Sequence, residues 1–259
     1  MALNFPHVPD VRLANSPLVE VVCQVRFPPI LRITKEDPID FQEAVRHRFP
    51  ELALEQGVVL RIPGIGSGDE LGVDPKTRLY RFKSKDGASS ISLTADFYAL
   101  SSTKYSHWEN FAADLELAHQ AAQKVYQLPY ATRIGLRYIN RLTLENTGAQ
   151  NREELLNMVR GELNALLLSE GWTEPNELLS QLVLSDDSAK LTLRSAYALE
   201  EDKPFLLLDY DYFEESRLPL EGLLERTNRY HQKIYDAFRW SIRADKISVF
   251  QPVEEANQP

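Results

Sequence analysis

The chain has 259 residues, of which 43% are hydrophobic and 26% are charged, an ordinary globular composition that fits one large domain or two small ones. An excess of 38 acidic over 29 basic residues gives a net charge of -9, which disfavours non-specific binding to nucleic acid or anionic membranes. The first residues lack the pattern of a signal peptide, and no segment approaches the roughly 20 apolar residues of a membrane span. Because the single cysteine, Cys23, cannot form an internal disulfide, we expect a cytoplasmic protein.

Hydrophobic periodicity predicts the same order of elements in each half of the chain. The first half reads as strand 17–27, helix 37–49, strands near 58–62, 78–84 and 89–99, and helix 106–127. The second half reads as strand 132–144, helix 152–170, strands near 181–185, 190–199 and 204–213, and helix 218–240. The pattern therefore predicts two β-α-β-β-β-α halves, 16–130 and 131–250, with tails at 1–15 and 251–259.

The two halves align at an offset of about 115 residues, which places segment 17–27 on 132–142 and segment 91–98 on 206–213. In the aligned strands, the apolar residues fall at equivalent alternating positions, so the corresponding strands present equivalent residues to the same face of the sheet. We therefore predict an α+β fold made by tandem pseudo-two-fold duplication, with an antiparallel sheet that carries long helices on one face. If the two sheets join, the topology is analogous to the saddle of TATA-box-binding-protein-like folds.

An antiparallel sheet covered by helices on one side leaves its other face free. We call this predicted surface the arginine face. By strand parity it carries Glu20, Gln24, Arg26, Arg81, Lys83, Asp96, Arg133, Arg137, Arg141, Arg194, Asp209 and Asp211. The same count places two aromatic residues, Tyr98 and Phe213, on this face.

Two interpretations of the arginine face remain open. Planar guanidinium groups suit carboxylates and phosphates, so Arg26, Arg133, Arg137 and Arg141 are candidate contacts for an anionic ligand or an acidic partner. Aromatic residues beside arginines are typical of binding hot spots, which adds Tyr98 and Phe213 to the candidates. The alternative is a solvated face held by cross-strand pairs to Asp96, Asp209 and Asp211, with cation-π packing inside the face.

No segment carries a catalytic signature. The glycine-rich stretch 63–72 lacks the Gly-Lys-Ser/Thr ending of a phosphate loop, no serine lies in a nucleophile elbow, and the five histidines do not have metal-ligand spacing. His119 and His231 fall on long helices, where an exposed or boundary position is the ordinary expectation. The sequence therefore predicts no cofactor and no metal, and it favours a non-enzymatic protein.

Two segments together are distinctive, namely Asn15-Ser-Pro-Leu-Val-Glu-Val21 and Arg133-Ile-Gly-Leu-Arg-Tyr-Ile-Asn140, with Tyr105-Ser-His-Trp-Glu109 between them. On these motifs the chain resembles, over nearly its whole length, a sporadically distributed family of bacterial proteins of about this size whose function is unassigned. The resemblance implies no catalytic residues. A sporadic distribution is common for genes on mobile elements or in defence and toxin-control loci.

The leading interpretation is a non-enzymatic binding or assembly protein that uses the free face or an edge of the sheet to engage a protein partner or its own copy. An alternative is an enzyme or sensor in which the arginines hold an anionic small molecule or nucleotide, with Asp209 or Asp211 supplying acid-base or metal chemistry. Nucleic-acid binding on the saddle ranks last because acids outnumber bases.

Overall fold

A computed structural model describes residues 3–56, 59–60, 71–72, 78–172 and 175–253. It shows an α+β protein with one nine-stranded antiparallel open sheet and helices packed on it. The strands are β1 Leu18–Arg26, β2 Glu51–Gln56, β3 Val59–Leu60, β4 Leu71–Gly72, β5 Arg78–Lys83, β6 Ser89–Leu93, β7 Phe97–Ser102, β8 Ala131–Thr143, β9 Glu177–Asp186, β10 Ala189–Glu200 and β11 Lys203–Leu218. The helices are α1 Leu31–Lys35, α2 Ile39–Val45, α3 Trp108–Tyr126, α4 Leu144–Thr147, α5 Arg152–Leu156, α6 Gly161–Asn164 and α7 Leu223–Ser241, with 3-10 turns at Ala165–Leu168 and Ile247–Phe250.

The strand order in the large sheet is β2-β5-β6-β7-β1-β8-β11-β10-β9, and β3 pairs with β4 separately. The first strands of the two predicted halves, β1 and β8, are antiparallel neighbours at its centre, with Cys23 opposite Leu136. The two halves therefore share one continuous sheet, a point that the sequence left open.

The core lies between one face of this sheet and the long helices α3 and α7. Cys23 and Leu136 of the central strands cluster there with Leu115 of α3 and Ile234 of α7. Each long helix directs an apolar stripe at the sheet, as its spacing of three and four residues predicts. Among the described helices, none combines the length and the hydropathy that a membrane span requires.

Two predicted elements are divided in the structure. The strand predicted at 89–99 is the hairpin β6–β7, because Thr94 and Asp96 form a turn in which the Thr94 hydroxyl donates to the Asp96 carboxylate at 2.9 Å. The helix predicted at 152–170 is broken because the chain after α5 bonds to the segment that follows α7. Arg160 N donates to Ser241 O at 2.9 Å, and Val159 forms a bridge with Ile242.

Other boundaries shift. The helix predicted at 37–49 is the shorter α2, preceded by α1. The strand β2, which pairs with β5, was not predicted, and most of the strand predicted near 58–62 lies outside the described residues. β9 and β11 extend beyond the strands predicted at 181–185 and 204–213.

The segments predicted as tails make specific contacts where they are described. Val8 N donates to the Asp236 carboxylate on α7 at 3.0 Å. Near the other end of the chain, Ala14 N donates to Gln251 O at 3.0 Å and Val253 N donates to Arg12 O at 2.8 Å. Residues 3–15 therefore run along α7 and beside residues 251–253.

Candidate functional site

The arginine face is a surface of paired charges. At its centre, Arg137 of β8 donates two hydrogen bonds of 2.7 Å to Asp209 of β11, and Arg194 of β10 donates to the same carboxylate at 3.1 Å. Strand register explains this cluster, because Asp209 is directly opposite Arg194 and Arg137 is opposite Asp211, two residues further along β11. Asp209 is 0% exposed and Arg137 is 8% exposed, so this ion pair is buried.

A second ion pair joins the same two strands, β8 and β11. Arg133 donates to both oxygens of Asp211 at 3.0 and 2.9 Å, and its guanidinium carbon lies 4.4 Å from the centre of the Phe213 ring. The guanidinium also lies over Gly135, where a Cβ would come within 2.5 Å of Nη1. Gly135 therefore gives Arg133 the room to reach Asp211.

Towards the margins of the face the pairs become more exposed. Arg141 bonds to Glu200, and its guanidinium carbon lies 4.2 Å from the centre of the Phe205 ring. Arg26 donates to Asp96 at 3.1 Å. All six arginines predicted on this face therefore have a carboxylate partner: Arg26 with Asp96, Arg81 with Glu55, Arg133 with Asp211, Arg137 and Arg194 with Asp209, and Arg141 with Glu200.

The prediction that Tyr98 lies on the arginine face is wrong. Tyr98 is fully buried on the helix side, where its hydroxyl lies 2.8 Å from Nδ1 of His119 on α3. The turn at 94–96 is the reason. Alternation assigns residues to sheet faces only along one continuous strand, and residues 89–99 form two strands with a chain reversal between them. Tyr98 faces the same side as Leu93, directly opposite it in the hairpin. Phe213, in contrast, lies on the predicted face.

Burial changes the acid-base behaviour of this face. Burial raises the pKa of Asp211 above its ordinary value, against the opposing effect of Arg133 and Arg137. Burial also raises the pKa of Glu20, although Arg137 and Arg81 act in the opposite direction. Burial alone would lower the pKa of Arg137, but the hydrogen bonds to Asp209 leave it raised. Arg137 therefore remains cationic, while burial disfavours the ionised forms of Asp211 and Glu20 and raises the pKa of each.

We expect Glu20→Gln to stabilise the protein at neutral pH. Because the folded-state pKa of Glu20 lies above its reference value of 4.5, ionisation of Glu20 removes stability as the pH rises from 4.5 through the folded-state pKa. The urea midpoint of the variant should exceed that of the wild type at pH 7, and the difference should shrink as the pH falls below 4.5. Glu170→Gln, at an exposed position, serves as the control and should show no such trend. A difference that stays constant with pH would contradict the proposed effect of burial.

The outer strand β9 is a second candidate surface, which was not predicted from the sequence. Within the described part of the chain, β9 pairs with β10 alone. Leu179, Leu182 and Val183 are 39%, 49% and 53% exposed, on both faces of the strand. Leu166, Leu168 and Trp172, in the segment that leads into β9, are also exposed. An apolar residue on each face of a strand is the available signal, because it predicts cover on both faces.

No group of three or more potential metal-ligating side chains lies close enough together to hold a metal ion among the residues that the structure describes. In the structure, Asp209 and Asp211 are paired with arginines.

Comparison with known proteins identifies no relative in sequence. No protein-family model matches the chain, and no curated protein matches it. Among solved structures, the chain is similar to DynU16, a protein in the dynemicin biosynthetic locus, at 15% identity and a TM-score of 0.21, over 85% of this chain and 96% of that one. A likeness of this degree carries no argument about fold or function.

Proposed function

We propose that the protein is a non-enzymatic assembly protein that forms a homodimer by antiparallel pairing of β9 with β9 of a second copy. The observation that carries the proposal is the exposed apolar edge of the sheet at Leu179, Leu182 and Val183. Unpaired N-H and C=O groups along an outer strand are a template for another strand. Pairing two copies would extend the sheet across the interface.

The composition of β9 supports pairing with a strand of another molecule. Monomeric proteins protect a sheet edge with lysine, proline or a bulge. Between Leu178 and Ser185, β9 has no charged residue and no proline, and its register with β10 shows no bulge. The opposite outer strand β2 differs, since Glu51 and Glu55 are charged.

The sequence of β9 also fits its own copy in one register. With a two-fold axis through Gln181, Leu179 lies opposite Val183 and Leu178 opposite Leu184, and each pair occurs twice. Apolar cross-strand pairs contribute roughly 0.2–1 kcal/mol each. With the axis moved one residue to Leu182, Leu178 would instead face Asp186 and Leu179 would face Ser185. With the axis moved to Ser180, Glu177 would face Val183 and Leu179 would face Gln181. Each alternative sets apolar side chains opposite polar ones, so the register through Gln181 is favoured.

Sedimentation equilibrium tests this assembly. We expect the wild type to dimerise, and the double variant L179K/V183K to dissociate, with a dissociation constant raised at least about tenfold, because lysines then oppose each other twice. The matched control L52K/L54K changes two exposed leucines on β2, at the other edge of the sheet, and should dimerise like the wild type.

Three outcomes would overturn the proposal. The first is a wild type that stays monomeric at all accessible concentrations, including a monomer that binds an unrelated peptide along β9. The second is dimerisation that the β9 variant leaves intact. The third is a dimer that the β2 control disrupts and the β9 variant does not.

The finer predictions from the sequence stay proposals of the same kind. A tandem duplication is supported by the equivalent positions of β7 and β11, β6 and β10, and β5 and β9 about the central β1–β8 pair. Against it, segment 91–98 belongs to two strands and its counterpart 206–213 to one. Membership of the sporadically distributed bacterial family rests on the two motifs alone. A nucleotide or nucleic-acid site on the arginine face has less support, since its arginines already bind carboxylates.

A further inference from the structure

A cavity of about 250 Å³ lies on the helix side of the sheet, away from both β9 and the arginine face. Its wall is built from three separate parts of the chain and one central strand. Residues 10–18 form one side, residues 105–109 at the start of α3 and three residues of α7 form others, and Tyr138 and Asn140 of β8 form the floor. A concave site of this kind, with aromatic walls and a few polar groups, is the usual form of a small-molecule pocket.

A chain of hydrogen bonds in one wall runs from the exposed Asp10 to the buried His231 and Tyr138. Nε2 of His231 donates to Asp10 at 2.9 Å, Nδ1 of His231 lies 2.7 Å from the Tyr138 hydroxyl, and that hydroxyl lies 3.2 Å from the Tyr105 hydroxyl. The Trp108 ring stacks on His231 with centroids 4.9 Å apart and 4° between the planes. His231 is only 5% exposed, so the expectation of an exposed or boundary histidine is wrong.

The charges on the cavity wall are mainly negative. Asp10 uses one oxygen for His231, and neither Asp10 nor Glu109 makes an ion pair with a lysine or arginine in the part of the chain that the structure describes. Burial raises the pKa of Tyr105, and the two carboxylates add to that effect, so its hydroxyl stays protonated. The one guanidinium among the lining residues belongs to Arg12, which is exposed.

The wall also offers hydrogen-bond acceptors, beside the hydroxyls of Ser16, Ser106 and Tyr235 and the His107 ring, which can both donate and accept. Asn140 is 4% exposed and donates through Nδ2 to Leu208 O at 3.3 Å, which leaves its Oδ1 as an acceptor. Carboxylates, an amide oxygen and phenol oxygens match the three donors of an ammonium group, which has no acceptor of its own. Aromatic rings such as those of Tyr105 and Tyr138 attract a cation through their faces.

We propose that this cavity binds a small primary amine, with the ammonium group at Asp10 and Glu109 and an apolar body against Leu13, Leu18 and Phe238. An anionic ligand would meet two carboxylates at close range. The proposal is independent of dimerisation through β9, because none of the residues that line the cavity belongs to that strand.

Isothermal titration with three matched probes tests the site: 2-phenylethylamine, the neutral 2-phenylethanol and the anionic 3-phenylpropanoate. We expect 2-phenylethylamine to bind with a dissociation constant between roughly 10 µM and 1 mM, as a ligand of this size allows. The alcohol should bind at least about tenfold more weakly, because it loses the charge-assisted hydrogen bonds, and the anion should not bind.

Glu109→Gln should weaken the binding of 2-phenylethylamine by about tenfold. Glu109 is exposed at the first turn of α3, so the variant should fold, which its thermal melting curve checks. Glu116→Gln, two turns further along the same helix and outside the cavity, is the control and should bind like the wild type. The proposal is wrong if 2-phenylethylamine shows no saturable binding, if the alcohol or the anion binds equally well, or if both variants lose affinity equally.

Discussion

Replacing Asp209 with alanine should lower the free energy of unfolding by about 3–5 kcal/mol. The substitution leaves Arg137 and Arg194 on a buried part of the sheet without the carboxylate that they share. Arginine side chains stay protonated in proteins, so the substitution leaves two positive charges in a part of the face where Arg137 is only 8% exposed. Urea unfolding at pH 7 with linear extrapolation measures the loss.

Glu200→Ala is the matched control for this loss. Glu200 also bonds to an arginine of the same face, Arg141, but its side chain is 63% exposed. Exposed ion pairs typically contribute about 0–1 kcal/mol, so the control should unfold close to the wild type. If the two alanine variants were equally stable, the centre of the arginine face would be as well solvated as its margin, contrary to the burial of Asp209.

Placing glutamate rather than lysine at position 183 of the L179K variant should restore the dimer. In L179K/V183E, the proposed two-fold axis through Gln181 puts a lysine opposite a glutamate at both Leu179–Val183 positions. In L179K/V183K, the same axis puts a lysine opposite a lysine. Opposite charges across two strands stabilise the pair and like charges destabilise it. We therefore expect L179K/V183E to bind itself at least about tenfold more tightly than L179K/V183K in sedimentation equilibrium at low salt.

Comparing L179K/V183E with L179K/V183K tests the register of the β9–β9 pair as well as the identity of β9 as the interface. A dimer that both double variants disrupt equally would contradict the axis through Gln181, even if β9 were the interface. Raising the salt concentration should reduce the difference between the two variants, since exposed charges are screened.

Strand alternation predicted which side of the sheet most of the charged residues occupy. Arg26, Arg137 and Asp209 all lie where period two assigns them, because each belongs to a strand that continues without interruption. Tyr98 shows the limit of that reasoning, since a three-residue turn reverses the chain just before it. Local pattern suggested that Asp209 pairs with an arginine across strands, but it could not predict that Arg137 and Arg194 share this carboxylate, because that depends on the order and register of three strands.

The candidate sites were harder to predict from the sequence than the fold was. Exposure of Leu179 and Val183 depends on β9 being the last strand of the sheet, which no local pattern shows. The contact between Asp10 and His231 joins residues 221 positions apart. Asp10 lies in a segment predicted as a tail, and His231 was expected at an exposed or boundary position of a helix, so the sequence predicts neither as part of a site.

The contacts of residues 3–15 also set an order of events during synthesis. This segment is made before its native partners, Asp236 on α7 and Gln251 beyond it, which follow more than 200 residues later in the chain. Residues 3–15 therefore wait without these partners while the strands of the sheet are synthesised. Asp10 can contact His231 only after α7 has been made, so the cavity acquires that wall later than the sheet that forms its floor.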